Sequence, residues 1–416
     1  PCRTRHLGRR LRADALVGGT WQQTQRGHPR RVSRASRPRH PHPVRLFRWI
    51  LLTFVLLMSA TIVSGWSAFG AYRFGPGIGT SPSALLRAER MAASPQMRDG
   101  RFVNKEAMRN HYGLMLRGLF NRSARSVPDA PLPVVADAAA NAPDAQQFEV
   151  TWYGHSSLRV RVAGLQILID PIWGQRPSPL SFVGPSRWYA PPVSLDALGS
   201  VDVVLISHDH YDHLDQPTIA ALLGNPANRH TRFLVPLGVG AHLEHWGVAP
   251  ERIVELDWWE SQAVGGVTFT ATPARHASGR SLLDRDATLW AGWALSTATQ
   301  RVYYSGDTGM MPAFEAIGEK LGPFDLTLMQ VGAYDPAWPD WHLTPEQAVA
   351  AHRALRGAAL LPVHWGLFNL AYHAWDDPIA RLTQAAEAQQ LTLATPRPGE
   401  AVVVGGATPD VRWWRR

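Results

Sequence analysis

Ten residues, ISHDHYDHLD from Ile206 to Asp215, hold three histidines and three aspartates. Packing alone asks for no such density. Neutral imidazole is the commonest protein ligand for zinc, with carboxylate as the usual oxygen partner, so H-x-H-x-D-H reads as a metal-binding loop. Along an extended strand end His208 and His210 point the same way, because side chains repeat every two residues. Asp212 and His213 then turn back toward a second position, so one short loop can feed two adjacent ions. Such a pair needs more donors, and three stand at or just after other apolar runs: His276 after VTFTATP, Asp307 ending RVYYSGD, and His364 ending GAALLPVH. The site would put His208, His210 and His276 on one ion and Asp212, His213 and His364 on the other. Asp307 is then the natural bridging carboxylate. Two ions so placed would acidify a bridging water into a hydroxide nucleophile at ordinary pH, with Asp212 orienting it.

The elements that must position these residues are legible too. VDVVLIS (201–207) is a continuous apolar run, the pattern of a strand buried on both faces, and it ends at the cluster. Open sheets bind ligands at the carboxyl ends of their strands. FEVTWYG, SLRVRVAG and LQILIDP read as three short strands joined by tight turns. Further strands are expected at 232–236, 267–272, 289–295, 301–305, 325–330, 359–363 and 401–404. Helices are expected from Gln216, Val239, Pro312, Thr344 and Pro378, and LTPEQA places Thr344 as a cap ahead of Pro345. Strands first, then strands alternating with helices, predict an α/β domain of two mixed sheets packed together with helices outside.

The net charge of +9 is unevenly spread: residues 1–48 carry thirteen arginines against one acid, Asp14, which leaves the rest at −3. The basic character belongs to a tail, and the folded part gives no electrostatic reason to bind nucleic acid. The single cysteine, Cys2, excludes a disulfide framework and a thiolate metal site. From Trp49 to Tyr72 no residue is charged, a length that can cross a bilayer as a helix. The arginines before it predict a cytoplasmic tail, with the catalytic domain on the non-cytoplasmic side (periplasmic in a Gram-negative cell). The alternative is secretion after signal cleavage. The expected divisions are a basic tail (1–48), a transmembrane anchor (49–72), a linker with a helical patch around Lys105–Leu119 (73–147), a hydrolase domain (148–405) and a C-terminal tail (406–416).

SHDHYDHLD, SGDTG and PVHWG resemble the metallo-β-lactamase superfamily. WYGHSSLRVRVAGLQILIDPIW, SPLSFVGPSRW, IVELDWWE, GDTGMMPAFEAIGEKLGPFDL, GAYDP and HLTPEQAV narrow the likeness to the N-acyl-phosphatidylethanolamine-hydrolysing phospholipase D group and its bacterial relatives. The resemblance runs from about 148 to 404. It implies a four-layer αββα sandwich and a dinuclear zinc phosphodiesterase, with iron or manganese as other metals such donors accept. His342 matches a histidine of the family motif and would donate a hydrogen bond to the phosphoryl group or protonate the leaving alcohol. His155 and Asp170 recur in the family pattern as candidate partners of the ligating rings, and Asp215 is a third such candidate or a helix cap. Phospholipids of the N-acyl-phosphatidylethanolamine type are the expected substrates. The alternatives are a lactonase or other ester hydrolase on the same metals, or a non-catalytic metal-binding envelope protein.

Overall fold

The computed structural model describes residues 52–54, 56–57, 85–137 and 147–415. The chain divides into two units, 1–63 and 64–416. Of the first, only residues 52–54 and 56–57 are described, and they are helical. The expected anchor, Trp49–Tyr72, otherwise lies outside the described residues. Among those that are described, no helix is long and apolar enough to cross a membrane.

The second unit opens with helix α1 (Leu85–Ala92), a small hairpin of β1 (Met97–Arg98) and β2 (Arg101–Phe102), and helix α2 (Tyr112–Phe120). A first run of strands follows: β3 (Glu149–Gly154), β4 (Ser157–Val162), β5 (Leu165–Ile169), β6 (Val203–Leu205), β7 (Arg232–Pro236) and β8 (Ile253–Leu256). A second run comprises β9 (Ser261–Val264), β10 (Val267–Thr272), β11 (Gly292–Ser296), β12 (Arg301–Tyr304), β13 (Phe324–Gln330), β14 (Gly357–Val363) and β15 (Thr392–Leu393). The last strand, β16 (Ala401–Val403), returns to pair antiparallel with β3. The result is two seven-stranded sheets, ordered β16-β3-β4-β5-β6-β7-β8 and β15-β14-β13-β12-β11-β10-β9. Each is mixed: the meanders β3–β5 and β9–β12 are antiparallel, and the strands beyond β5 and β12 run parallel.

Period-two alternation assigns the faces. Ile167, Ile169, Val203, Leu205 and Leu234 join Phe269, Trp293 and Leu326 in one apolar cluster, while Leu168, Val204 and Phe233 belong to another. That second cluster includes Ile219 and Leu222 of α3 (Gln216–Gly224) and Leu243 of α4 (Gly240–His245). The second sheet is covered in turn by α5 (Ala313–Leu321), α6 (Pro345–Ala354) and α7 (Asp377–Ala388), through Phe314, Val349 and Leu382. This is the αββα arrangement. Each such side chain taken fully out of water contributes about 1.5–3 kcal/mol, so a strand buried on both faces is held firmly in register. Thr344 caps α6 in a full capping box with Gln347, ahead of Pro345.

Both flanks correct the expected divisions. The stretch taken as a linker is tied to the sandwich at several points. Arg87 is buried against Glu244 and Glu255, Val135 N–H donates to Pro398 O at 2.8 Å, and Tyr153 Oη donates to Asp137 at 2.5 Å. Helix occupies only Tyr112–Phe120, because residues before it are held in irregular backbone by ties to the sandwich. The C-terminal tail is also folded in: Trp413 and Trp414 are buried, and Trp413 stacks on Trp365 at 5.1 Å.

Candidate metal centre

Strand β6 runs out at Leu205, and the chain then turns tightly, with His213 and Leu214 N–H both donating to His210 O. The turn folds His208, His210, Asp212 and His213 inward. His276 arrives from the loop after β10, Asp307 from the end of β12, His342 from the segment before α6, and His364 from the end of β14. Gly306 makes Asp307's approach possible: its φ is +55°, and a Cβ there would lie 2.7 Å from Ala291 O. His155 and His364 sit at φ 51° and 63°, and their loops are paired, His155 N–H to Trp365 O and His364 N–H to His155 O. Left-handed conformations at bulky residues cost energy and persist where the surroundings impose them.

The donor atoms converge in four overlapping groups. His208, His210 and His276 form one, with His210 Nδ1 lying 2.9 Å from His208 Nε2 and 3.2 Å from His276 Nε2. Asp212, His213, His364 and His155 form another, with Asp212 Oδ2 3.0 Å from His155, 3.3 Å from His364 and 3.5 Å from His213. Asp307 Oδ2 stands between them, 3.2 Å from His213, 2.9 Å from His364 and 3.8 Å from His276. His342 Nδ1 lies 3.7 Å from the same oxygen. The structure therefore brings together all seven residues read as ligands, and His342 with them. His155 Nε2 lies against Asp212, as a partner of that carboxylate would, and also falls within reach of a shared ion.

Hydrogen bonds fix which ring nitrogen faces inward. His276 Nδ1 lies 3.1 Å from Trp341 O, and a carbonyl can only accept, so Nδ1 carries the proton and Nε2 presents a lone pair. His213 Nδ1 stands 2.7 Å from Asp170 Oδ2, so its Nδ1 carries a proton too and Nε2 is the nitrogen turned to the cluster. Asp170 also accepts from Ser207 N, Ser207 Oγ and Tyr304 Oη. Asp215 does not reach a ligating ring. It caps α3 through Thr218 and accepts from Gly174 N at 3.0 Å, so the cap reading is the one the structure supports.

Burial pushes His208 and His276 well below the ordinary histidine range, and neighbouring imidazoles add to that for both. Burial should raise Asp212 and Asp307, yet the surrounding histidines hold both carboxylates well below the usual range. Burial lowers His213 and His364 too, but Asp307 and Asp212 raise both above the ordinary histidine value, so those two rings must give up a proton to a divalent cation. Buried His213 Nε2 and Asp307 Oδ1 have no hydrogen-bond partner, although buried polar atoms normally do. A donor set of imidazole and carboxylate without thiolate suits zinc, iron or manganese, so the residues fit a metal pair.

Two supports escaped the sequence reading. Asp209, buried behind the loop, accepts from Gly279 N at 2.7 Å and Thr288 Oγ1 at 2.9 Å, and lies 3.1 Å from His242 Nε2. Its position between His208 and His210 was the available signal. Asn104 brackets His276, donating to its carbonyl at 2.6 Å and accepting from its N–H at 3.0 Å. A lone asparagine in an apparent linker gave none.

Residues 166–365 match the family model described as a beta-lactamase superfamily domain. An uncharacterized protein of Mycobacterium tuberculosis is 44% identical over 366 residues, covering 86% of this chain and 97% of the relative. N-acyl-phosphatidylethanolamine-hydrolyzing phospholipase D 1 of Caenorhabditis elegans is 35% identical over 279 residues, covering 64% of this chain and 78% of that enzyme. Among solved structures, Igni18, a metallo hydrolase from Ignicoccus hospitalis, covers 62% of this chain and 98% of its own at 23% identity and a TM-score of 0.48.

Proposed function

The chain belongs to the β-lactamase superfamily as a metal-dependent hydrolase, and we propose that it cleaves phosphodiester bonds in N-acyl-phosphatidylethanolamine-type phospholipids with two Zn2+. The observation that carries this reading is the 35% identity across 78% of the worm phospholipase, beside a donor cluster that fits a metal pair. In it, His208, His210 and His276 would hold one ion and Asp212, His213 and His364 the other, with Asp307 placed to serve both. Metal bound there supplies a Lewis acid for the phosphoryl oxygens and a water acidified toward neutrality.

The chain's own residues do the rest. Asp212, at the open edge of its group, accepts a hydrogen bond that aims the attacking oxygen. His342 is pushed down to about 3 by burial against the opposing pull of Asp307, so it works as a neutral donor and not as an imidazolium. Its N–H would meet a phosphoryl oxygen or the leaving alcohol. A narrow crevice beside the site, walled by Trp188, Trp365 and Phe368 between His155 and His364, offers apolar contact to a lipid. The uncharged run 49–72 and the arginines before it support an anchored enzyme whose catalytic unit faces away from the cytoplasm. Cleavage of that unit by protease added to intact spheroplasts tests this orientation.

The deciding experiment offers the purified chain an N-acylated phosphatidylethanolamine and a panel of lactones. The reading expects phosphatidic acid and N-acylethanolamine, two metals per chain, and loss of turnover in His208→Ala. Lactone turnover without phosphatidic acid would overturn the substrate assignment, and a His208→Ala chain with full turnover would overturn the site.

A further inference from the structure

Helix α2, YGLMLRGLF, buries none of its residues. Tyr112 is 73% exposed, Leu116 61% and Phe120 82%, with Leu114 and Leu119 also exposed. A nine-residue helix is marginal in water on its own, and helices normally gain stability by packing an apolar face. Single exposed leucines are ordinary, but five large apolar side chains on one short helix form a patch that needs a partner. The helix is not loose. His111 N–H, just before it, donates to Ala337 O at 2.7 Å, Tyr372 Oη donates to Met115 O at 3.2 Å, and Gly118 lies so close to the Tyr372 ring that a Cβ would come within 2.1 Å. One edge is thus pinned to the loops that lead to His342 and follow His364, and the remaining side chains face outward.

The charge around the helix selects the partner. From Ala107 to Pro128 the chain carries four arginines and no acid. Arg109 and Arg125 pair with Asp340 and Asp376, whereas exposed Arg117 and Arg122 form no ion pair among the described residues. An apolar face beside unneutralised arginines complements one surface above others, an anionic bilayer, where apolar side chains enter the boundary between headgroups and acyl chains and arginines meet phosphates. We infer that α2 docks on an anionic lipid surface and holds the metal centre's mouth against it. The inference extends the lipid reading but does not need it, since docking is read without catalysis.

The test uses the full chain with a local probe, because residues 49–72 could carry the protein to vesicles unaided. Cys2 is the only cysteine, so Cys2→Ser with Phe120→Cys takes one environment-sensitive fluorophore, and Cys2→Ser with Thr299→Cys, at the opposite end of β12, serves as control. Phosphatidylcholine vesicles containing phosphatidylglycerol should shift the probe at 120 to the blue and leave that at 299 unmoved, with a weaker response to phosphatidylcholine alone. Arg117→Gln with Arg122→Gln should raise the lipid concentration at half-maximal shift by about 30-fold, from the attraction each arginine feels near such a surface. No shift at 120, an equal shift at 299, or indifference to the arginine pair overturns the inference. So does a shift without vesicles that grows with protein concentration, which would assign the face to a second copy. Hydrolysis of detergent-dispersed lipid, assayed separately, keeps a failure of docking distinct from a failure of the substrate assignment.

Discussion

Replacing Asp170 by asparagine should weaken the metal centre without touching a ligand. Asp170 is fully buried, and its Oδ2 faces Ser207 Oγ at 2.5 Å, His213 Nδ1 at 2.7 Å and Tyr304 Oη at 2.5 Å, while Oδ1 accepts from Ser207 N at 2.7 Å. An amide of the same shape has one accepting end. If its nitrogen takes the Oδ2 position it meets the His213 Nδ1–H and two hydroxyls that must turn to accept; if it takes the Oδ1 position it meets the Ser207 N–H. Either way at least one charge-assisted bond becomes a donor facing a donor, and the rest lose the charge, for a stability loss of about 2–4 kcal/mol. His213 then loses the partner that fixes its tautomer and angle, which typically costs about 10–100-fold in metal affinity. An opposing effect exists. Burial lowers the proton affinity of His213, but Asp307, Asp212 and Asp170 together raise it well above the ordinary histidine value, so removing Asp170 relieves proton competition with the metal. That relief counts only where the ring holds a proton, so metal retention should be compared in alkaline buffer, by dialysis against graded chelator, with urea unfolding alongside. Unchanged metal retention with a clear drop in stability would refute the claim that Asp170 acts on the metal through His213.

Gly332→Ala would set a Cβ 2.1 Å from His364 O, and a displacement of His364 on the ångström scale should lower turnover about 100-fold, read as kcat with the fold checked by circular dichroism. Asp215→Ala removes the cap of α3 and should cost about 1 kcal/mol in thermal unfolding while metal content stays at the wild-type value; metal loss would show that Asp215 reaches the site after all. The hydrogen bond from Arg109 holds Asp340 below the usual carboxylate range, with burial opposing and Arg275 assisting. A depressed carboxylate gives its stabilisation in full at neutral pH and loses it as pH falls through the folded value, so the urea midpoint of Asp340→Asn should vary less with acidification than that of the wild type.

The residues that carry chemistry were the most legible part of the chain, because histidine and aspartate at H-x-H-x-D-H spacing have few structural reasons to cluster. The strands ending at Leu205, Thr272, Tyr304 and Val363 were legible for a related reason: buried strands are apolar throughout and leave little ambiguity. Strands β8, β9 and β15 were not. They are short and lie at or next to sheet edges, and β8 and β9 mix polar with apolar residues, so pairing and not pattern makes them strands. The stretch 85–137 was unreadable because side-chain ties from Arg87, Asn104 and Arg109 attach it, and each is a single polar residue with no periodic pattern around it. The backbone pairing of His155 with His364 was not legible either, because it joins residues from different sheets.

That pairing points to how the centre depends on the sandwich as a whole. Three further ties cross between the sheets at the same end: Ala291 N–H to Ser207 O at 2.9 Å, Trp293 Nε1 to Ile206 O at 3.0 Å, and Asp170 with Tyr304. The first sheet supplies His155, His208, His210, Asp212 and His213; the second supplies His276, Asp307, His342 and His364. Neither sheet holds a complete set, so a slide of one against the other would part Asp307 from His213 while leaving each sheet's own hydrogen bonds intact. Buried Trp152, stacked at 5.3 Å on Trp365 and bonded through Nε1 to His155 O, resists that slide on the side of His155 and His364. Large aromatic contacts between sheets are therefore as much part of the metal centre as its ligands: they set the separation at which one aspartate can serve two groups of histidines.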